Sequence, residues 1–170
     1  MLFSTKAEYG VRLMIELGRD QRGEPLSLSS IAEAENLPLS YMEHLVARLK
    51  QAGLVDSTRG ARGGYTLGRE PSGITMLEVV EALEGPIVPM ECFETEPKGR
   101  VQCSHLAPTD GPCATKLLWT RVQGGVTEAL RETTLSDLVE FASSNRPARQ
   151  PVGGASVSLR AAVVQPWVAP

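Results

Sequence analysis

Residues 41–67 read YMEHLVARLKQAGLVDSTRGARGGYTL. The first half has a helical period: Met42, Leu45, Val46, Leu49 and Ala52 make an apolar stripe, and Gly53 terminates it. Ser40 with Glu43 three residues later predicts a capping box at its start. The second half holds two short strand candidates, LVDSTR and YTLGR, joined by GARGG, a turn too rich in glycine for a helix. A basic hairpin directly after an amphipathic helix predicts a recognition helix followed by a wing. Gly60, Gly63 and Gly64 let the backbone turn tightly, while Arg59 and Arg62 put charge at the tip.

Working outward, residues 27–37 (SLSSIAEAENL) predict a short helix with Ile31, Ala34 and Leu37 inward, ended near Pro38. Two short helices joined by a tight turn, the second carrying basic residues, make a helix-turn-helix pattern. Residues 5–18 predict a first helix with Ala7, Val11, Met14, Ile15 and Leu17 near one face and a capping box of Thr5 and Glu8. After the hairpin, ITMLEVVEALEG forms another amphipathic helix, capped by Thr75 and Glu78 and stopped by Gly85. A longer helix, ATKLLWTRVQGGVTEALRE, follows with Leu118, Val122, Val126 and Leu130 in line. Gly124 and Gly125 in its middle cost about 1 kcal/mol each relative to alanine, which predicts a kink or a close helix contact. TTLSDLVEFASS makes a short final helix. The expected fold is mostly α with a small β-hairpin wing, a winged helix-turn-helix followed by a long helix.

The organisation expected is a winged-helix domain over residues 1–85, a cysteine-bearing loop over 86–113, the long and final helices over 114–145 and a mobile tail over 146–170. At 170 residues and 42% apolar content the chain can bury one real core. The start MLFSTKAEYG has neither a basic leader nor an apolar run, and no stretch approaches the roughly 18 apolar residues of a membrane span. A soluble cytoplasmic protein without a membrane partner is expected. An enzyme finds no support: GARGGY lacks the Lys-Ser/Thr of a phosphate loop, neither histidine belongs to a protease or nucleophile motif, and no C-x-x-C pair exists. No small-molecule substrate is expected.

Net charge is −3, so any nucleic-acid contact depends on distribution. From Arg48 to Arg69 the chain holds Arg48, Lys50, Arg59, Arg62 and Arg69 against Asp56, a focused excess of four positive charges. In a recognition helix the N-terminal side chains reach base edges while later basic residues hold phosphate. Ser40, Tyr41, Glu43 and His44 occupy that first turn, and Arg48 and Lys50 follow. Glu43 could accept from a cytosine amine or simply complete the cap with Ser40. Arg59 and Arg62 are placed to enter a narrow minor groove, where the negative potential is greatest. The partner implied is a double-stranded DNA operator.

Cys92, Cys103 and Cys113 are the chain's three cysteines, an odd number that fits poorly with a disulfide framework. Three thiolates in one loop invite a metal, and an iron-sulfur cluster, usually held by four ligands, would leave one position for another ligand. Zinc held by three Cys and one His is the chemical competitor. His105, two residues after Cys103, is a competent ligand, and Asp110 is a further candidate.

The pattern YxxxLxxxLxxAGLVxSxRGxxGGYxL, with the STKAEYGVRLM start, the ITMLEVVEALEG helix and a late helix containing LW before TLSDL, resembles the IscR and NsrR group of bacterial regulators. The resemblance spans about residues 1–142. It implies a homodimer joined through the long helix, which would then be a dimerisation helix, and a two-half-site operator. In many members it also implies an iron-sulfur cluster that switches DNA affinity. Some members use an acidic residue of the first helix as fourth ligand, reaching the partner chain's loop, which points to Glu8 ahead of His105. The C-x10-C-x9-C spacing is looser than the short, even gaps of those regulators and leaves the cluster open between 2Fe-2S and 4Fe-4S. The function expected is a transcriptional repressor whose cluster senses nitric oxide, redox state or iron status. The alternative is a zinc-stabilised or thiol-redox winged-helix regulator without a cluster.

Overall fold

The structure, a computed structural model, describes residues 3–20, 24–60, 62–90, 93 and 113–145. In chain order these form α1 (Thr5–Arg19), α2 (Leu28–Glu35), α3 (Leu39–Gln51), β1 (Val55–Thr58), β2 (Gly64–Leu67), a single 3-10 turn (Pro71–Gly73), α4 (Met76–Glu84), α5 (Ala114–Glu132) and α6 (Leu135–Asn145). The mostly helical chain with one two-stranded antiparallel hairpin is the fold class that the sequence predicts.

The apolar stripes converge on one core. Met42, Leu45, Val46 and Leu49 of α3 are buried against Leu13, Met14 and Leu17 of α1, Ile31 of α2, Leu54 and Val55 at the start of the hairpin, and Val79 and Leu83 of α4. At about 25 cal/mol per Å² of apolar surface removed from water, burial of this kind is the main force holding the short helices in place. The inward faces differ from the expected ones in detail. Leu13 is fully buried whereas Val11 and Ile15 are half-buried, and in α2 Leu28 and Ala32 face the core more than Ala34 and Leu37 do. Ala52 caps the end of α3 and is exposed.

Two of the expected caps are different. Ser4, not Thr5, is the N-cap of α1: Ser4 has extended backbone and its Oγ accepts from the Lys6 amide, so Glu8 is free of any capping role and instead accepts from Arg12 Nη2 at 2.8 Å. At α3 the fixed proline geometry wins. Pro38 (φ −63°) is the N-cap, its carbonyl accepts from the Tyr41 and Met42 amides at 3.1 Å each, and Ser40 lies inside the first turn, where its hydroxyl no longer caps. The Thr75–Glu78 capping box forms as expected, both halves present.

The hairpin pairs Val55 with Leu67 through Thr58 with Gly64, and Gly60 (φ +119°) supplies the left-handed turn at its tip. A bridge from Leu26 to Tyr65 docks the hairpin on the segment before α2. Gly64 is required there, because a Cβ would stand 2.5 Å from the Leu26 carbonyl oxygen.

α5 is one continuous helix through Gly124 and Gly125. No atom of the described chain lies within 4 Å of where their Cβ atoms would be, and no α5 residue is buried. α6 turns back: the Leu135 amide donates to the Ile74 carbonyl at 2.8 Å, Leu135 is fully buried, and Val139 packs against Gly18 of α1. No described helix is long and apolar enough to cross a membrane.

Candidate nucleic-acid interface and cysteine site

The inward stripe of α3 leaves its other face to solvent. Ser40, Glu43, His44, Arg48 and Lys50 are exposed, and so are Arg59 and Arg62 on the hairpin turn. Because β1 follows α3 after three residues, helix and hairpin form one continuous unit. Lys50 Nζ donates to Ser57 Oγ and ties the end of the helix to the base of the wing. The sequence-predicted basic residues thus lie on two consecutive elements, a helix and a hairpin tip, as groove reading requires.

Tyr41 and Arg48 make inward connections that the sequence did not reveal. The Tyr41 ring is half-buried and meets Tyr9 of α1 edge-on. Arg48 Nη1 donates to the Leu83 carbonyl at 3.1 Å, in the last turn of α4. Neither contact has a sequence signature, since each joins residues more than thirty positions apart and the motifs that hold Tyr9 and Leu83 say nothing of which partner each meets.

The segment that carries the cysteines begins and ends on the scaffold. Past Gly85, the Ile87 carbonyl accepts from Gln123 Nε2 of α5 at 2.7 Å, and Lys116 stands 5.7 Å from the centre of the Phe93 ring. At the other end Cys113 is the N-cap residue of α5. Its Sγ lies 3.0 Å from Thr115 Oγ1, and hydrogen bonds from Thr115 and from the Lys116 amide, with the Lys116 charge beside it, hold the thiol below its ordinary range. Cys92, Cys103, His105 and Asp110 lie outside the described residues. Glu8 is exposed on α1 in an ion pair with Arg12, which also stands 3.7 Å from Glu35. Among the described residues no three His, Cys, Asp or Glu side chains gather as a metal site. The donor chemistry fits iron-sulfur ligation at Cys113, whose thiol pKa is lowered by its neighbours.

A helix-turn-helix with a basic wing, followed by a long helix, defines the class of winged-helix transcriptional regulators. The chain belongs to the Rrf2 family, whose profile, described as "Iron-dependent Transcriptional regulator", matches residues 3–141. It is 42% identical over 148 residues to the HTH-type transcriptional regulator CymR of Bacillus subtilis, covering 87% of this chain and 96% of CymR. The solved structure of that protein, described as the global cysteine regulator of B. subtilis, superposes with a TM-score of 0.68 over 83% of this chain and 98% of CymR. The HTH-type transcriptional regulator IscR of Escherichia coli is 33% identical over 139 residues, 82% of this chain and 80% of IscR. The structure of T. potens IscR gives a TM-score of 0.68 at 34% identity, over 88% of this chain and 94% of that one. The protein is a transcriptional regulator of this family and not an enzyme.

Proposed function

We propose that the chain is a homodimeric repressor whose hold on a two-half-site operator is set by an iron-sulfur cluster on the segment between α4 and α5. The observation that carries this reading is the way the segment is mounted. It leaves α4 beside a bond to α5 and re-enters α5 at a cysteine held toward its thiolate. Cys92, Cys103 and Cys113 are the thiolate ligands, with Glu8 from the partner chain as fourth ligand and His105 as its rival. Bound there, a cluster of the 2Fe-2S or 4Fe-4S type supplies redox and ligand-exchange chemistry open to nitric oxide, oxygen or iron loss.

The protein's own residues do the rest. Ser40, Tyr41, Glu43 and His44 face the bases, Lys50 and Arg48 lie further along the same helix, and Arg59 and Arg62 enter the minor groove. α5 joins the two subunits: Leu117 and Leu118 are 59% and 55% exposed, and Gly124 and Gly125 leave room for the close approach of another helix. Ordering of the cysteine segment against α1 of the partner then biases the spacing of the two recognition helices.

The test is iron and acid-labile sulfide per chain on protein purified without oxygen, followed by operator affinity before and after cluster removal. Stoichiometric iron and sulfide with a changed affinity supports the reading; their absence, or equal affinity of the two forms, overturns the cluster switch. A second reading has a specific observation in its favour. The thiolate character of Cys113 and the similarity to a cysteine regulator suit a thiol-redox regulator, or a zinc-stabilised one, without a cluster. Zinc in place of iron and sulfide, or a reversible oxidation that changes operator affinity, would select it.

A further inference from the structure

We propose that Arg48 is a positioning residue of the recognition helix: it ties α3 to the last turn of α4 and sets how the helix is presented to the operator, rather than neutralising a phosphate. The inference rests on the DNA-reading role of α3 given above. The last carbonyls of a helix have no partner within it, and a cation at that end is favoured by the helix dipole. Leu83 supplies such a carbonyl, and Arg48 Nη1 is 3.1 Å from it.

The same turn is held on its other sides. The Leu83 side chain is fully buried against Gly10, where a Cβ would come within 2.0 Å of Leu83 Cδ1, so α1 and α4 approach each other closely there. Glu84, the next residue, accepts from the Ser4 amide at 3.0 Å and lies 3.8 Å from Lys6 Nζ, which binds the start of α1 to the same place. One residue on, Gly85 ends α4, and Ile87 is already bonded to α5. The start of α1, the exit of the cysteine segment and the recognition helix therefore meet at Leu83–Gly85, and Arg48 is the side chain that brings α3 into the junction.

The experiment compares the full-length wild type with Arg48→Gln on two duplexes, one selected by the wild type from a random pool and one unrelated, at several salt concentrations. The 13C carbonyl shift of Leu83 is followed in both proteins. A positioning role gives a moved Leu83 resonance, about tenfold weaker binding to the selected duplex, and unchanged salt slope and affinity on the unrelated one. A phosphate contact instead flattens the salt slope by about 0.9 and weakens both duplexes alike, which overturns the proposal. Wild-type affinity of the variant on both duplexes overturns it too. If the wild type itself selects no duplex, the DNA-reading assignment fails and the proposal falls with it, an outcome distinct from the other two.

Discussion

The rings of Tyr9 and Tyr41 meet edge to face, with centroids 5.8 Å apart and planes at 88°. Tyr41 sits in the first turn of α3 and Tyr9 directly follows Glu8 on α1, so the helix carrying the proposed fourth ligand touches the end of α3 proposed to read the bases. Edge-to-face pairs contribute about 0.5–1.5 kcal/mol beyond their buried area. A double-mutant cycle of Tyr9→Leu and Tyr41→Leu, read by urea unfolding, should return a coupling energy in that range. Strictly additive effects would mean that the two rings stabilise the fold independently.

On the wing, Arg59→Ala with Arg62→Ala should weaken binding to a selected duplex strongly at physiological salt. It should also flatten the dependence of log affinity on log salt by up to about 1.8, if each arginine releases one counterion. The fold should be untouched, because both side chains are exposed. An unchanged salt slope in fluorescence anisotropy titrations would remove the hairpin tip from the interface.

On α5, Leu117→Asp with Leu118→Asp places two carboxylates where both leucines are exposed among the described residues. Analytical ultracentrifugation should show the wild type as a dimer and the variant as a monomer, with the melting temperature of the winged-helix core little changed at low concentration. A variant that remains dimeric would place the subunit contact elsewhere.

The α4 capping box predicts a pH dependence. Burial raises the Glu78 pKa, but the Thr75 amide and the Arg69 guanidinium outweigh it and hold the carboxyl below its ordinary value. A carboxylate with a depressed folded pKa contributes stability that is complete above the unfolded pKa and is lost as pH falls through the folded one. Glu78→Gln should therefore melt lower than wild type at neutral pH, and the gap should narrow as pH falls below the ordinary carboxylate range. Thr75→Ala, which removes the other half of the box, should cost about 1 kcal/mol. A gap between wild type and Glu78→Gln that is constant across this range would show that the carboxylate charge contributes nothing to the cap.

Much of this protein is written locally. The stripe Met42, Leu45, Val46 and Leu49, the stop at Gly53, the glycine-rich turn and the Thr75–Glu78 box are all set by neighbours in sequence, and each appears where local periodicity and turn chemistry place it. The basic residues of the helix and wing were legible for the same reason, since a helix that buries one stripe must present the other residues to solvent. The caps of α1 and α3 were read one or two residues late. Ser4 and Thr5 are chemically equivalent candidates, and the proline before α3 took the role that Ser40 seemed suited to.

Tertiary structure decided the rest, because it depends on which surfaces meet. That Tyr41 faces Tyr9, that Arg48 reaches the Leu83 carbonyl and that Gly10 is small to admit the Leu83 side chain are facts about helices distant in sequence. Leu135 lies far along the chain beside the long helix in sequence, yet it is fully buried in the core next to α1, because the Thr133–Leu135 backbone bonds to the chain around α4's start. Local pattern fixes which face of each helix is apolar. Only packing fixes which two faces share it.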